Sequence, residues 1–294
     1  MPSAAVTDRW SIKNTPVMEQ EQFELWQALL EERTGMTLSQ ERKTFLETSL
    51  SIRMRELAIT DYETFYEQLV AGSTESKAME WSVLVDRLTV QETSFFRHAG
   101  SYALVEEYVQ GFIANAKSGE SLDVWSVGCS TGEEPYSLGM LISEQYKQQN
   151  IAKAYFGITA TDISLPTLGK ARRGVYAARK VEHVDPRLRE EYFQRLNDRE
   201  YQVADSLRDR VCFARLNVMD LARAPMQDMD IIFCQNMLIY FRRWRKKQIV
   251  TRLAERLSVG GLLVLGPGEV TDFHHPDLER VPFADSLAFR RCKG

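Results

Sequence analysis

Two adjacent carboxylates, Glu133 and Glu134, follow a turn of small residues from Gly128 to Gly132 in the stretch LDVWSVGCSTGEEPYSL, residues 122–138. An apolar run, Leu122, Val124, Trp125 and Val127, precedes that turn. A strand, a glycine turn and a helix N-terminus in this order make the place where an α/β sheet holds a cofactor. Gly128 and Gly132 let the backbone turn sharply and let a ligand come close. A dinucleotide site carries G-x-G-x-x-G here, so that a pyrophosphate rests on the helix N-terminus. This chain carries G-x-x-x-G and two acids. The acids suit the helix dipole but repel phosphate. They fit a cationic ligand without phosphates, and S-adenosylmethionine, with its sulfonium and ammonium, is such a ligand. The next apolar run, Tyr155 to Ile163, ends in Thr161-Asp162, an acid where a ribose diol is usually held. The competing account makes the acids first-turn helix stabilisers and Thr131 to Glu134 a capping box. Asp162 tips the balance towards a cofactor.

GCSTG also matches G-x-S-x-G, the nucleophile elbow of serine hydrolases, with Ser130 as nucleophile. Asp228 or Asp230, and then His274 or His275, follow in the right chain order. Two features count against this reading. The chain before Leu122 reads as helical, whereas an elbow follows several strands, and no HGGG-type segment lies upstream.

The elements that must position these residues fall into two parts. Residues 1–17 are polar and mixed, as in a flexible tail. Residues 18–90 carry four helix-like segments. Phe23, Trp26 and Leu30 mark the first, with Gly35 as its C-cap. Leu46, Leu50, Met54 and Leu57 mark the second, Tyr62, Phe65 and Leu69 the third, and Ala78, Trp81, Val85 and Leu88 the fourth. Thr60 to Glu63 reads as the capping box of the third. Strand-like and helix-like segments then alternate within residues 91–294: 122–127, a helix to about 148, 154–161, a helix from about 165, 230–235, a helix over 243–257, and 261–266. Alternation of this kind predicts a parallel, Rossmann-like sheet covered by helices. Gly260-Gly261 reads as the last helix-to-strand turn, and Ser286 to Arg291 as an antiparallel edge strand. Residues 195–213 break the alternation with short β-prone pieces, as a small β-subdomain insert would.

The composition bounds the partners. No apolar run is long enough to span a membrane and no signal-peptide core opens the chain, so a cytoplasmic protein without membrane insertion is expected. A net charge of −4 gives no reason to expect nucleic acid. Cys129, Cys212, Cys234 and Cys292 are scattered without C-x-x-C, so neither a metal site nor a disulfide framework is expected. Cys129 reads as a small buried thiol beside the cofactor.

Four separated motifs, RLTVQETSFFR (Arg87 to Arg97), GCSTGEEPYSL, ATDIS (Ala160 to Ser164) and FCQNMLIYF (Phe233 to Phe241), occur in an order that resembles the CheR family. These are S-adenosylmethionine-dependent methyltransferases that esterify glutamates on bacterial chemoreceptors. The resemblance runs from about residue 20 to the C-terminus, with the pilus (twitching-motility) branch as a candidate subtype. It implies a small N-terminal all-α domain ahead of the methyltransferase sheet and its β insert, which in some members binds a tethering peptide of the receptor. It implies Gln91, Thr93, Arg97, Gly128, Glu133, Asp162, Asn217, Val218, Asn236 and Met237 as cofactor-binding positions. It makes Arg42, Arg53 and Arg55, near the second helix, candidates for contact with the receptor, although a solvated helix face is usually the safer reading of such residues. Departures stand at Gln91 (usually Asn), at Gln235 (usually Arg) and at Gly266-Pro267-Gly268-Glu269 (usually Gly-His-Ser-Glu).

The chemistry implied is an in-line methyl transfer. A glutamate, with a pKa near ~4.3, is already a carboxylate at neutral pH and needs no general base. Alignment and exclusion of water are the enzyme's tasks, and proximity contributes roughly 7–11 kcal/mol. Arg97 and Tyr240 are the catalytic candidates: Arg97 to grip the carboxylate bidentately, Tyr240, just past a strand-like run, to orient the substrate or the sulfonium region. Their structural alternatives are an ion pair and a half-buried aromatic. The expectation is a protein-glutamate O-methyltransferase acting on the cytoplasmic helical domain of a methyl-accepting chemoreceptor. A non-catalytic cofactor-binding scaffold, the Ser130 hydrolase, and small-molecule or nucleic-acid methylation are the alternatives, the last lacking a basic aromatic-lined surface in the sequence.

Overall fold

The computed structural model describes residues 16–71, 74–89, 92–117, 119–149 and 155–292. Helices α1 (Gln20–Thr34), α2 (Lys43–Glu56), α3 (Tyr62–Ala71) and α4 (Thr74–Leu88) form the N-terminal all-α unit. Apolar residues at helical spacing put Phe23, Trp26, Leu46, Leu50, Tyr62 and Phe65 into one core. Gly35, at φ 74°, closes α1 by donating its N–H to the Glu31 carbonyl (2.8 Å). The expected cap of α3 is displaced by one residue. Asp61, not Thr60, accepts the Thr64 N–H (2.8 Å), because a carboxylate is the better acceptor. Most of the expected tail, residues 1–15, lies outside the described residues. Pro16 already belongs to the fold, since its carbonyl accepts from the Tyr62 hydroxyl (3.0 Å).

A helix absent from the sequence reading, α5 (Ala99–Asn115), leads into β1 (Ser121–Val127), α6 (Glu133–Gln148), β2 (Tyr155–Asp162) and α7 (Leu165–Arg173). There follow β3 (Val175–Ala177), α8 (Ala178–Val181), α9 (Pro186–Tyr192), β4 (Phe193–Arg195), β5 (Glu200–Val203), α10 (Asp205–Arg208) and β6 (Val211–Arg215). The chain ends with β7 (Met229–Cys234), α11 (Arg243–Ala254), β8 (Leu257–Leu265), β9 (Leu278–Val281) and β10 (Leu287–Arg291). Among the described residues the main sheet has seven strands in the order β6-β2-β1-β7-β8-β10-β9. All its pairings are parallel except those of β10. The chain leaves β1 for β2 on one side and later enters β7 on the other. The strand order therefore reverses at β1, and the crevice beyond the carboxyl ends of β1, β2 and β7 is where an open α/β sheet binds ligands.

Three expectations need correction. The β insert is not 195–213. It is the antiparallel sheet β3-β5-β4, from Val175 to Val203, while Val211–Arg215 is a main-sheet strand paired with β2. Three-residue strands give no readable period, and the alternation of buried Val211 and Phe213 with exposed Cys212 suits either sheet. Strand β10 is antiparallel but not at the edge, because β9 covers it. The charged pair Glu279-Arg280 hid β9 in the sequence and suits an edge. The last helix stops at Ala254, and β8 begins at Leu257. Gly260, at φ 86°, and Gly261 lie inside β8, where the register with β7 shifts, so they mark a bulge rather than a turn.

The helical unit is bonded to the sheet domain directly. Arg242 makes a two-pronged pair with Glu31 (2.6 and 2.9 Å), and Asn217 Nδ2 donates to the Arg33 carbonyl (2.8 Å). The Thr37 N–H donates to the Tyr240 carbonyl (2.8 Å). Ser164 and Thr167 hydroxyls both donate to Asp86 Oδ1 (2.5 and 2.8 Å). Helix α11 has no acid in its first turn but opens on Arg243, Trp244, Arg245, Lys246 and Lys247. Cations at that end oppose the helix dipole by about 0.3–1 kcal/mol each. No helix among the described residues is long and apolar enough to cross a membrane.

Candidate active site

The loop after β1 is pinned to the end of β2. Gly128 and Cys129 N–H groups both donate to the Thr161 carbonyl (2.8 and 3.0 Å). Gly128 sits at φ 75°, and a Cβ there would come within 2.8 Å of Met237 Cγ, so the glycine makes room for the loop after β7. Ser130, at φ 50°, donates its N–H to Asp162 Oδ2 (2.9 Å), while its buried hydroxyl has no partner among the described residues. The Thr131–Glu134 capping box of the competing account does not form. Gly132 caps α6 in the left-handed conformation without a side-chain bond, and the Thr131 hydroxyl donates to Glu133 Oε2 (2.6 Å).

The two acids that open α6 part company. Glu133 is fully buried, paired with Lys180. Glu134 accepts from the Ser126 hydroxyl (2.7 Å) and lines the crevice. Burial pushes the Glu134 carboxyl up to about 8, against the pull of the Ser126 hydroxyl and with a further push from Glu269. Asp162 accepts from Ser130 N–H at one oxygen and Ser164 N–H (2.9 Å) at the other. Burial raises its pKa and those amides draw it back. A carboxylate has about four lone-pair directions, so Asp162 keeps acceptors for a diol.

The loop after β7 is held from below by Glu269. This buried carboxylate accepts from Gly266 N–H (2.9 Å) and Ile239 N–H (3.2 Å), and its pKa is raised by burial. Above it, Asn236 stands at φ 56°, with Oδ1 3.0 Å from His98 Nε2. A left-handed non-glycine residue on each of two facing loops, Ser130 and Asn236, is backbone strain concentrated at one place. Gln235 Nε2 donates to Ser101 Oγ (2.6 Å) and so brings a neutral amide where a cation would alter the field on Glu134.

The crevice has two lobes. One is lined by Met36, Ile163, Leu216, Val218, Met237 and Phe241, together with Asp162 and Asn217. The other is polar, with Thr93, Arg97, Glu134 and Gln235. Gly128, Ser130, Asn236 and Tyr240 line both. Arg97 donates one N–H to the Glu92 carbonyl (2.9 Å) and keeps further donors. Burial raises the Tyr240 hydroxyl pKa, with Arg42 and Arg97 opposing. The hydroxyl is therefore neutral near pH 7, able to donate and accept. Cys129 and Cys234 are buried, and their thiols are pushed well up, which leaves them inert.

The structure thus brings Thr93, Arg97, Gly128, Asp162, Asn217, Val218, Asn236, Met237 and Tyr240 to one crevice. The side-chain amide of Asn217 is already engaged, by Arg33 O and by the Met219 N–H that it caps (3.0 Å). Glu133 faces Lys180 instead, and Gln91 lies outside the described residues. Of the basic trio, the Arg42 guanidinium lies over Phe45 and 5.9 Å from the centroid of the Tyr240 ring. Arg53 is clamped by Glu80 (2.7 and 2.6 Å) and Glu56, and Arg55 donates to the Ser51 carbonyl (3.3 Å). The hydrolase constellation does not assemble. Asp230 accepts from Asp123 N–H (2.8 Å) near the opposite end of β1, and His274 and His275 line a separate cavity with Phe273 and Arg280. Sequence reasoning named Glu269 and Gln235 only in family-motif segments and gave neither a role, and it missed the roof residues Thr34, Met36 and Thr89. The signal for Glu269 was that it keeps the acid of the Gly-His-Ser-Glu segment while Pro267 and Gly268 depart from it.

The donor set fits S-adenosylmethionine. An apolar lobe with an anchored acid suits an adenine base and ribose diol, and a polar lobe with an acid and a guanidinium suits an amino-acid zwitterion. Ser130 supplies an unpartnered buried hydroxyl where the lobes meet.

Comparison with known proteins agrees with this geometry. A family model described as "CheR methyltransferase, SAM binding domain" matches residues 91–286, and one described as "CheR methyltransferase, all-alpha domain" matches residues 21–89. The chain is similar to chemotaxis protein methyltransferase 1 of Pseudomonas aeruginosa, at 31% identity over 91% of this chain and 97% of the relative. It is 31% identical to the chemotaxis protein methyltransferase of Escherichia coli over 86% of this chain and 84% of that one. It is 30% identical to chemotaxis protein methyltransferase 2 of Vibrio cholerae over 81% of each.

Proposed function

The chain belongs to the CheR methyltransferase family, and from that premise we propose that it esterifies glutamate side chains on the cytoplasmic helical domain of a methyl-accepting chemoreceptor. The observation that supports the reading is that Asn236 and Tyr240 line both lobes of the S-adenosylmethionine crevice, with Arg97 on the wall of the polar one. When bound, S-adenosylmethionine supplies a methyl group already activated by a cationic sulfur.

Asp162 and the apolar lobe hold the adenosine end. Glu134, rather than Glu133, faces the ammonium end, and Thr93 and Asn236 complete the polar lobe. Arg97 and Tyr240 orient the incoming carboxylate. No residue has to remove a proton, because the acceptor carboxylate is ionised at neutral pH. The protein's contribution is position and dryness. Arg97 must hold the carboxylate without quenching it, and its bond to the Glu92 carbonyl limits how many donors it can turn on the substrate. Glu269 is a positioning residue, since it fixes the backbone that presents Asn236 and Tyr240. Arg42, over the Tyr240 ring, is the member of the basic trio beside the reacting groups. Work on a receptor's cytoplasmic domain places the protein in the cytoplasm. Each ester removes one negative charge from a helical bundle and so shifts its packing equilibrium, which is the basis of an adaptation signal.

The test is methyl transfer from labelled S-adenosylmethionine to receptor cytoplasmic fragments, followed by mild base. Label released as methanol establishes a carboxyl ester. Label that survives base overturns the glutamate assignment.

A further inference from the structure

Helix α11 begins against its own electrostatics. Arg243, Arg245, Lys246 and Lys247 occupy the end where the helix dipole favours anions, and no acid offsets them in the first turn. Arg243 pairs with Asp272 (3.0 Å), and the preceding Arg242 with Glu31. Among the described residues no ion pair involves Arg245, Lys246 or Lys247: Arg245 donates to Gln248 (2.8 Å), and Lys246 to the Glu269 carbonyl (3.0 Å). Beside these cations two large apolar side chains face solvent, Trp244 at 55% and Ile239 at 53% exposure. The Arg245 guanidinium lies 4.1 Å from the centroid of the Trp244 ring, which pre-sets both groups as one flat, cationic surface. Ile239 itself lines the polar lobe with Arg97 and Tyr240. The surface is therefore continuous with the mouth of the crevice.

We propose that Ile239 and the first turns of α11, with Trp244, Arg245 and Lys247, form a docking surface for an acidic amphipathic helix of the methyl-accepting protein. The proposal rests on the methyl-transfer reading above and identifies what grips the polypeptide around the reacting side chain. The charge is complementary to a helix rich in carboxylates, and the exposed tryptophan fits the apolar stripe of such a helix. The reach is right as well. Trp244 lies five residue steps along the chain from Ile239, a span of at most roughly 18 Å. About a dozen residues of helix cover that length. One helix can therefore place a glutamate in the crevice and still lie across Trp244. An anionic membrane surface is the competing occupant. The crevice mouth argues against it, because a surface beside that mouth must be free for the substrate chain.

The test compares wild-type protein with Trp244→Ala and with the double variant Arg245→Glu, Lys247→Glu. Two readouts use the same labelled receptor cytoplasmic fragments: KM in methyl transfer, and direct binding by fluorescence anisotropy without cofactor. Binding of S-adenosylhomocysteine, measured calorimetrically, shows that the crevice is intact in each variant. The surface predicts at least a tenfold rise in KM and in fragment Kd for the double variant, a smaller rise for Trp244→Ala, and wild-type binding that weakens steeply with salt. Unchanged KM and Kd in both variants overturn the surface and leave the methyl-transfer reading standing. Salt-sensitive binding lost in the variants, with no ester formed by any of the proteins, keeps the surface and overturns the reading. Wild-type protein that binds vesicles of anionic lipid but none of the fragments overturns the surface as a protein-docking site.

Discussion

Cofactor affinity should carry a proton count, and Glu134 sets it. Its carboxyl is pushed up to about 8 by burial. At pH 7 such a group is ionised in only roughly a tenth of molecules, and at pH 6 in about a hundredth. If the ionised form is the one that meets the ligand ammonium, the binding-competent fraction sets the apparent Kd. The Kd for S-adenosylhomocysteine then falls about ninefold between pH 6 and pH 7, or about 1.3 kcal/mol. Calorimetry in buffers of different ionisation enthalpy should count about 0.9 proton released per ligand at pH 7. Glu134→Gln should bind more weakly and lose most of that slope. The unliganded protein carries the opposite sign. Because the folded-state pKa lies above that of the unfolded chain, the folded form binds the extra proton between about pH 4.5 and 8. Glu134 therefore contributes stability that is whole at low pH and is lost as pH rises through about 8, by about 1.4 kcal/mol per unit in that window. Asp162 and Glu269 are shifted in the same direction, so the comparison of wild type with variant is what isolates Glu134. A wild-type Kd that is flat from pH 6 to 7, or a slope unchanged in Glu134→Gln, refutes the reasoning.

Asp162→Ala removes the acceptor for a diol and strands the Ser130 and Ser164 amides. Calorimetry should find affinity for S-adenosylhomocysteine reduced roughly 10- to 150-fold, the worth of a charge-assisted hydrogen bond. Gly128→Ala drives a Cβ against Met237 and forces a left-handed conformation. Thermal denaturation should show a loss of about 1–3 kcal/mol, with cofactor affinity falling too. Tyr240→Phe keeps the ring under Arg42 but removes the hydroxyl. Ester formation should slow about 10- to 100-fold while the Kd for S-adenosylhomocysteine stays within about threefold. Arg53→Ala and Arg42→Ala should separate two roles that the sequence could not. Arg53→Ala, which breaks the clamp with Glu80, should lower stability by about 1–3 kcal/mol with little change in KM for the receptor fragment. Arg42→Ala should do the reverse.

What could be read from the chain alone follows the range of the forces involved. The turn at Gly128 and the acid at Asp162 announce themselves because each is a local pattern, an apolar run and then a residue of unusual conformation or charge, and Tyr240 follows the apolar run of β7 by six residues. Their convergence is set by strand order, and the alternation of strands and helices limits that order to few choices. The division of labour between Glu133 and Glu134 was not legible. Both are acids on one helical turn, and only the position of Lys180, 47 residues downstream, decides which of them is neutralised by a cation. The ion pair of Arg53 was not legible for the same reason, since its partner Glu80 lies on another helix. The positioning role of Glu269 was not legible because it bonds to backbone amides, which every residue carries. The β insert was misplaced where strands of three residues are too short to show a period. Helix α5, with apolar residues on most of its turns, was submerged in a generally helical reading of that region.

The roof of the apolar lobe has a consequence for how this protein can evolve. Thr34, Met36 and Thr89 belong to the helical unit, yet they wall the same cavity as Asp162 and Asn217. The two family segments abut at residues 89 and 91, so that boundary in the chain is not a boundary in the site. A recombination event that exchanged one segment would install a foreign ceiling over an existing floor and would mismatch the Glu31–Arg242 and Asp86–Ser164 contacts as well. The two halves must therefore be inherited as a pair. Covariation across the relatives should be found between helical-unit residues and sheet-loop residues that share this wall, and a chimera should regain cofactor affinity only when both sides of the wall come from one parent.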